Sequence, residues 1–170
     1  SNGNIATSWF GLDGSNYGIF SQVLDSSGNF IGPENLVNTK ISDLQNFHSI
    51  APLNDGKFVI TWSDVNGNFS TDAPSNVKAR ILNSDGTFFS EEFLINDSEI
   101  PITAEQSVPS IAQLNEGGFV VTWRAPVDAD GIGVGIQFFD ELGRKVGTNN
   151  ILNQSEIGTQ RPYGISAING

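Results

Sequence analysis

The chain has 170 residues and no cysteine, so a single domain with a sizeable core is expected, and disulfides and cysteine-based metal or redox sites are excluded. Eight Lys and Arg against nineteen Asp and Glu give a net charge of −11, which opposes binding to nucleic-acid phosphates and to anionic lipid. The apolar runs are far shorter than the ~20 residues of a membrane-spanning helix, so membrane insertion is not expected.

The predicted elements follow one pattern that occurs three times along the chain. Its most regular part is an apolar segment that ends in Trp9, Trp62 and Trp123, so successive copies are 62 − 9 = 53 and 123 − 62 = 61 residues apart. Alternation of apolar and polar residues predicts four strands in a complete copy, named A to D, with the tryptophan on strand B. The chain begins at a B strand, and its segment 160–168 matches strand A, so the order is BCD, ABCD, ABCD, A.

The predicted turns support this division into strands. Strands A and B are joined by Leu-Asn-Asp-Gly (53–56) and Leu-Asn-Glu-Gly (114–117), and strands C and D by Asp-Ser-Ser-Gly (25–28) and its two counterparts. Asn and Asp cap such turns, and Gly adopts the positive φ that they require. No segment has helical periodicity, so the sequence predicts an all-β protein.

The spacing predicts a β-propeller-like fold with three four-stranded antiparallel blades in one domain, 1–170. Blade 1 comprises 1–38 together with strand 160–168, blade 2 comprises 45–96, and blade 3 comprises 106–153. Three blades are too few to close a ring, because propellers have about four to eight. Either two chains form a six-bladed homodimer by exchanging A strands, or the chain is part of a larger propeller; a non-propeller β stack such as a sandwich is a further alternative.

The B–C and D–A connections are the predicted binding surface, because they vary between copies whereas the A–B and C–D turns are short and alike. Their side chains include aromatic rings suited to sugars, together with acidic, amide and guanidinium groups. The candidate ligand-binding residues are Phe10, Asp13, Tyr17, Asp64, Asn66, Phe69 and Arg124. The three tryptophans are predicted to pack between blades instead, since each lies in register with other apolar residues of its strand.

One connection has the composition of a cation-binding loop. Asp128-Ala-Asp130-Gly131 alternates oxygen-bearing side chains and ends in Gly, an arrangement that can wrap Ca²⁺. The bidentate Glu that an EF-hand has at its twelfth position does not occur at that offset. A calcium site with Asp128 and Asp130 as ligands and a solvated turn are therefore both open interpretations, and Ca²⁺ is the one cofactor considered.

The third copy carries a family resemblance. It reads Gly-Gly-Phe-Val-Val-Thr-Trp (117–123), an Asp- and Gly-rich loop, and then Gly-x-x-x-Phe-Asp-x-x-Gly (135–143), and it is preceded by Pro-Ser-Ile-Ala-x-Leu (109–114). This pattern resembles repeats of very large, type-I-secreted, RTX-like bacterial surface and calcium-binding proteins, over essentially the whole chain. The resemblance implies a secreted or cell-surface bacterial setting and adhesion or ligand display. It does not carry calcium binding, because the Gly-Gly-x-Gly-x-Asp repeat that defines RTX domains is missing from the sequence.

These observations predict a non-enzymatic extracellular adhesin-type module that recognises a glycan or a surface protein through its B–C and D–A loops. The expected partners are a second copy of the chain and such a carbohydrate or protein ligand. A structural, self-assembling spacer of a giant surface protein is the alternative. A propeller glycoside hydrolase is a third hypothesis, and no enzymatic activity is expected, because the sequence contains no nucleophile–base set or recurrent catalytic signature.

Overall fold

The structure is a computed structural model, described for residues 3–65, 75–96, 106–128, 131–154 and 158–168. Within these ranges the chain is built from antiparallel β-strands, which confirms the all-β prediction. The strands are β1 (Ile5–Leu12), β2 (Tyr17–Leu24), β3 (Phe30–Leu36), β4 (Leu44–Pro52), β5 (Phe58–Val65), β6 (Ser75–Leu82), β7 (Phe93–Leu94), β8 (Ser107–Gln113), β9 (Phe119–Asp128), β10 (Gly131–Phe139) and β11 (Lys145–Ile151). A short 3₁₀ turn at Asn54–Gly56 joins β4 to β5. This described part contains no helix with the length and apolarity needed to cross a bilayer.

The strands form three separate antiparallel sheets, one for each copy of the repeat. The first sheet has the order β1-β2-β3, the second β4-β5-β6-β7, and the third β11-β10-β9-β8. Neighbouring strands of each sheet are consecutive in the chain, as in an up-and-down meander. The first sheet has three strands because residues 158–168 form none and do not pair with β1 in the same chain. The described residues therefore show three separate antiparallel sheets and no closed ring, and pairing of the tail with another molecule stays a prediction.

The predicted C–D turns are confirmed. Gly28 and Gly143 have φ values of 85° and 79°, and each N–H donates to the carbonyl oxygen of the Asp that begins its turn, over 3.0 and 3.1 Å. The carboxylates of Asp25 and Asp140 accept further backbone N–H groups inside the turns. The hydrogen bond that the Asn29 side-chain amide donates to Asp25, together with these backbone hydrogen bonds, holds the pKa of the Asp25 carboxyl below its usual value. The C–D turns thus need both the Asp and the Gly that the sequence repeats at their first and last positions.

A glutamine on strand C interrupts the C–D pairing in two of the sheets. The strand register shifts at Gln22 in the first sheet and at Gln137 in the third. The Gln22 amide donates to the carbonyl oxygens of Ile31 and Gly32 at 3.2 Å, and the Gln137 amide donates to that of Val146 at 3.1 Å. Each side chain therefore supplies the hydrogen bonds that its β-bulge removes from the ladder.

An asparagine after strand D closes every sheet in the same way. Its side-chain oxygen accepts the backbone N–H of a strand C residue at 2.7 to 2.8 Å. The three pairs are Asn38 with Ile19, Asn96 with Val77, and Asn153 with Val134. We call these contacts the asparagine clamps. They satisfy a backbone donor at the end of the sheet where the B–C and D–A connections lie.

The apolar core lies between the sheets rather than within one of them. One cluster, including Ile19, Phe58 and Trp62, joins the first sheet to the second. A larger cluster, including Val77 and Trp123, joins the second sheet to the third. Trp62 and Trp123 are fully buried, which confirms for these two the prediction that the tryptophans pack between neighbouring repeats. Trp9 is half-buried and its ring stacks on Phe20 of its own sheet.

Candidate functional site

Three of the predicted ligand-binding residues lie together at the B–C end of the first sheet. Phe10, near the end of β1, and Tyr17, at the start of β2, have ring centroids 5.7 Å apart with their planes tilted by 50°. Phe10 is 56% exposed, and Tyr17 is half-buried. Asp13 lies in the connection between them, so two aromatic rings and a carboxylate share one end of one sheet.

The local chain holds Asp13 in a fixed conformation. One of its carboxylate oxygens accepts the backbone N–H groups of Ser15 and Asn16, at 3.0 and 2.8 Å. Its other oxygen, Oδ2, is buried and has no hydrogen-bond partner among the described residues. Asp13 therefore has one carboxylate oxygen that accepts no hydrogen bond from the described residues, in a chain segment beside the two aromatic rings.

Asp64 lies at the end of β5 in the second sheet, where it is 5% exposed. Its Oδ2 is 2.5 Å from Nζ of Lys78 on β6, and its Oδ1 accepts a hydrogen bond from the Gln45 amide at 3.0 Å. Lys78 also approaches Glu92, with 3.5 Å between Nζ and Oε2. Burial alone would lower the pKa of Lys78, but the hydrogen bond and charge of Asp64, with those of Glu92, outweigh burial and raise that pKa above its ordinary value.

This buried pair belongs to a polar network that links the second sheet to the first. The Gln45 side-chain oxygen accepts a hydrogen bond from the amide of Asn38 at 3.1 Å, and Asn38 is the asparagine clamp of the first sheet. Glu92 accepts the backbone N–H of Thr39. Because both sides of the interface contribute, the network fixes how the B–C ends of the two sheets face each other.

The structure does not bring the other predicted residues to the aromatic pair. Arg124 lies on β9 of the third sheet, opposite Val134 of β10. Asn66, Phe69 and Asp130 lie outside the described residues, as does the side chain of Asp128 at the end of β9. In the described ranges no group of three or more His, Asp or Glu side chains is arranged to hold a metal ion, and the calcium prediction falls on the undescribed loop.

The sequence analysis missed Lys78, Gln45 and Glu92 as members of a polar site. A comparison of the repeat copies contains the signal: Asp64 takes the position of Ala125, and Lys78 takes that of Gly135. In the first copy the same two positions are Gly11 and Phe20, so the second copy is the one that carries a pair of opposite charges there, and such a pair indicates a specific contact.

No family model and no curated protein matches the sequence. Among solved structures, the chain is similar to the crystal structure of an endo-arabinase from Bacteroides thetaiotaomicron VPI-5482, with a TM-score of 0.55 and 17% sequence identity. The likeness covers 91% of this chain and 60% of that chain, so the present chain spans about three fifths of the enzyme's length. At this identity the likeness concerns the fold.

The comparison corrects the prediction that enzymatic activity is not expected. That prediction depended on the lack of a catalytic signature in the sequence, whereas a solved protein with a similar fold is named an endo-arabinase. Catalytic carboxylates are set by their separation in space, which a linear sequence does not display. The fold of this chain is thus similar to part of a protein named an endo-arabinase.

Proposed function

We propose that this chain is a carbohydrate-active domain that binds a neutral polysaccharide at the B–C end of its first sheet. The observation that carries the proposal is the contact between Phe10, which is 56% exposed, and the half-buried Tyr17, beside Asp13, whose Oδ2 has no partner among the described residues. The similarity in fold to an endo-arabinase supports carbohydrate as the ligand class.

The chemistry of the B–C end of the first sheet suits a sugar chain. Aromatic faces pack against the C–H faces of pyranose and furanose rings, and a carboxylate accepts strong hydrogen bonds from sugar hydroxyls. The net charge of −11 repels uronate or sulfate groups, which favours a neutral glycan such as arabinan. In the bacterial surface setting that the resemblance implies, such binding would serve attachment to a glycan-coated surface.

Binding is tested by calorimetry and by retention on insoluble polysaccharides, with arabinan, a neutral glucan and an anionic pectate as ligands. We expect arabinan or the glucan to bind and pectate not to bind. Phe10→Ala should weaken binding roughly tenfold, which corresponds to about 1.4 kcal/mol.

The matched control is Phe89→Ala. Phe89 is also an exposed aromatic residue, at 40%, but it follows the C–D turn of the second sheet and lies under the Lys57 ammonium. This variant should bind as the unmodified chain does. Equal losses in the two variants, or preference for pectate, would contradict the proposed site.

Hydrolysis of the bound glycan is the second candidate function, and the fold shared with an endo-arabinase is the observation that favours it. Glycoside hydrolysis needs two carboxyl groups across the scissile bond. Asp13 and Asp64 are the candidates within the described residues, since both lie at the B–C ends of neighbouring sheets.

Hydrolysis is tested by the release of reducing ends from arabinan, with Asp13→Asn and Asp64→Asn as variants. If both carboxylates take part, either variant should abolish release, whereas Phe89→Ala should leave it unchanged. Binding without any release would remove hydrolysis and retain the binding proposal.

A further inference from the structure

The two interfaces between neighbouring sheets are built from the same two surfaces. In the second interface, Phe119, Val121 and Trp123 of the third sheet pack against Val77 and Ile81 of the second sheet. We call the tryptophan-bearing side of a sheet its B face and the opposite side, formed from strand C, its C face. The B face of the second sheet packs against the C face of the first in the same way. Each B face therefore fits the C face of the sheet before it in the chain.

One surface of each kind is left uncovered in this chain. The B face of the first sheet carries Ile5, which is 56% exposed, whereas Phe58 at the same position of the second sheet is 4% exposed. The C face of the third sheet carries Phe138, which is 41% exposed, whereas Ile81 at the same position of the second sheet is fully buried. The chain thus presents both halves of the interface that it already contains twice.

The described tail, residues 158–168, makes the same backbone hydrogen bond to the third sheet that the residue before β8 makes to the second sheet. The backbone N–H of Gln106, just before β8, donates to the carbonyl oxygen of Ser75 on the second sheet at 3.3 Å. The backbone N–H of Gln160 donates to Ile132, at the equivalent position of the third sheet, at 2.7 Å. Residues 160–168 therefore leave the third sheet with the backbone hydrogen bond that an inner strand makes, although they form no strand in the single chain.

The edge of β1 that is not paired with β2 is where a strand formed by the tail would fit. In the third sheet the inner strand pairs Ser110 with Thr122. The same register applied to the tail would set Gly164 opposite Ser8 of β1. Within the described residues β1 pairs with β2 alone, so this edge has no strand on it.

A cavity marks the volume that such a strand would occupy. It measures about 670 Å³, lies between the first and second sheets, and is lined by Val23, Ile50 and Phe58 among others. At the corresponding point of the next interface Leu53 is buried in the apolar cluster. Ile168 is the tail residue that matches Leu53, and it is 87% exposed in the single chain.

We propose that a second copy of this chain covers these surfaces, so that two chains of three sheets form a closed ring of six. The C face of each third sheet packs on the B face of the partner's first sheet. Each tail pairs with β1 of the other chain and inserts Ile168 into its cavity. This arrangement buries every sheet on both faces and leaves no inner edge unpaired.

The first test is the molar mass of the full 170-residue chain by size exclusion with light scattering. We expect 36.4 kDa, which is twice the 18.2 kDa of one chain. A mass of one chain at every concentration, or an open-ended series of larger masses, would overturn the proposal.

Charged substitutions on the two faces locate the contact. Ile5→Asp and Phe138→Asp should each weaken dimerisation by roughly 100-fold, because a carboxylate would be buried without a partner. Leu142→Asp is the control, since Leu142 is 48% exposed in the C–D turn of the third sheet, away from its C face. Circular dichroism verifies that the monomeric variants remain folded. Equal dissociation by Leu142→Asp would contradict the assigned surface.

Mixing the two variants tests the head-to-tail geometry. In a mixed dimer one interface carries both substitutions, and the other carries neither. Equimolar Ile5→Asp and Phe138→Asp chains should therefore recover dimer mass that neither forms alone, and failure to recover it would contradict the ring. Ile168→Asp should also weaken the dimer while leaving the fold of the single chain intact, and an unchanged dimer would refute exchange of the tail.

Discussion

The molecule has two interfaces between neighbouring sheets, the first-to-second and the second-to-third. Both contain apolar residues at equivalent positions of the repeat, but they differ in the residues beside the tryptophan. At the first interface Trp62 lies near the buried pair of Asp64 and Lys78. At the second, the same positions are Ala125, which is fully buried, and Gly135, over which the indole of Trp123 lies. One backbone arrangement thus accommodates either an ion pair or close apolar packing.

The difference extends to the glutamine that begins each inner strand. Gln106 accepts the indole N–H of Trp123 at 3.0 Å. Gln45, at the same position, donates to Asp64 instead, and the indole N–H of Trp62 has no hydrogen-bond partner among the described residues. The first interface has therefore exchanged a structural hydrogen bond for a charged network at the B–C end. Such a difference between equivalent positions indicates that the charged residues of the first interface have a role other than supporting the fold.

The largest expected effect comes from breaking the ion pair. Lys78→Met leaves the Asp64 carboxylate buried with Gln45 as its hydrogen-bond donor, and we expect a loss of about 3 kcal/mol in the free energy of unfolding. Urea denaturation measures this loss. The double variant Asp64→Ala/Lys78→Met should be more stable than Lys78→Met alone, because it removes the orphaned charge together with its partner.

The pH dependence sharpens this test. The pKa of Lys78 is raised in the folded chain, so its contribution is complete below the unfolded value of 10.5 and is lost as the pH rises through the higher folded value. The stability difference between the unmodified chain and Lys78→Met should therefore shrink in strongly alkaline solution. A constant difference would indicate that packing rather than charge is responsible.

A smaller effect is expected at the glycine of the second interface. A Cβ at Gly135 would lie 2.5 Å from Cε2 of Trp123, so Gly135→Ala should displace the indole and cost about 2 kcal/mol. Gly11→Ala in the first sheet is the matched control, because its Cβ would meet Phe20 at an ordinary 3.4 Å. Similar unfolding midpoints for both variants would contradict the close packing of Trp123.

The smallest expected effect is the difference in stability between substitutions at the two buried tryptophans. Trp123→Phe leaves the Gln106 side-chain oxygen without its donor, whereas Trp62→Phe loses ring volume alone. We expect Trp123→Phe to be the more destabilising of the two by about 1 kcal/mol, as measured by chemical denaturation. Equal losses in the free energy of unfolding would show that the indole hydrogen bond contributes no net stability.

The strand and turn pattern could be predicted from sequence because its causes are local. Asp25 and Gly28 provide the cap and the positive φ of a turn within four residues, and alternation around Trp62 marks a strand whose two faces differ. The burial of Trp62 and Trp123 followed from the same alternation.

The polar network could not be predicted in this way, because its members are distant in the sequence. Gln45, Asp64, Lys78 and Glu92 belong to different strands or connections and meet only when the second sheet forms. The cavity beside β1 is likewise lined by residues of two different sheets rather than by any one segment. The expectation of no enzymatic activity was reached without three-dimensional information, since the spacing of carboxylates that glycoside hydrolysis needs is not displayed by a linear sequence.

The asparagine clamps have a consequence for how such a chain changes during evolution. Asn38, Asn96 and Asn153 each bind a residue of their own sheet, so no clamp depends on a neighbouring repeat. Duplication or deletion of one whole copy by recombination within the gene would leave the remaining clamps intact. New genes of this type can therefore gain or lose units while each surviving unit keeps its ends satisfied.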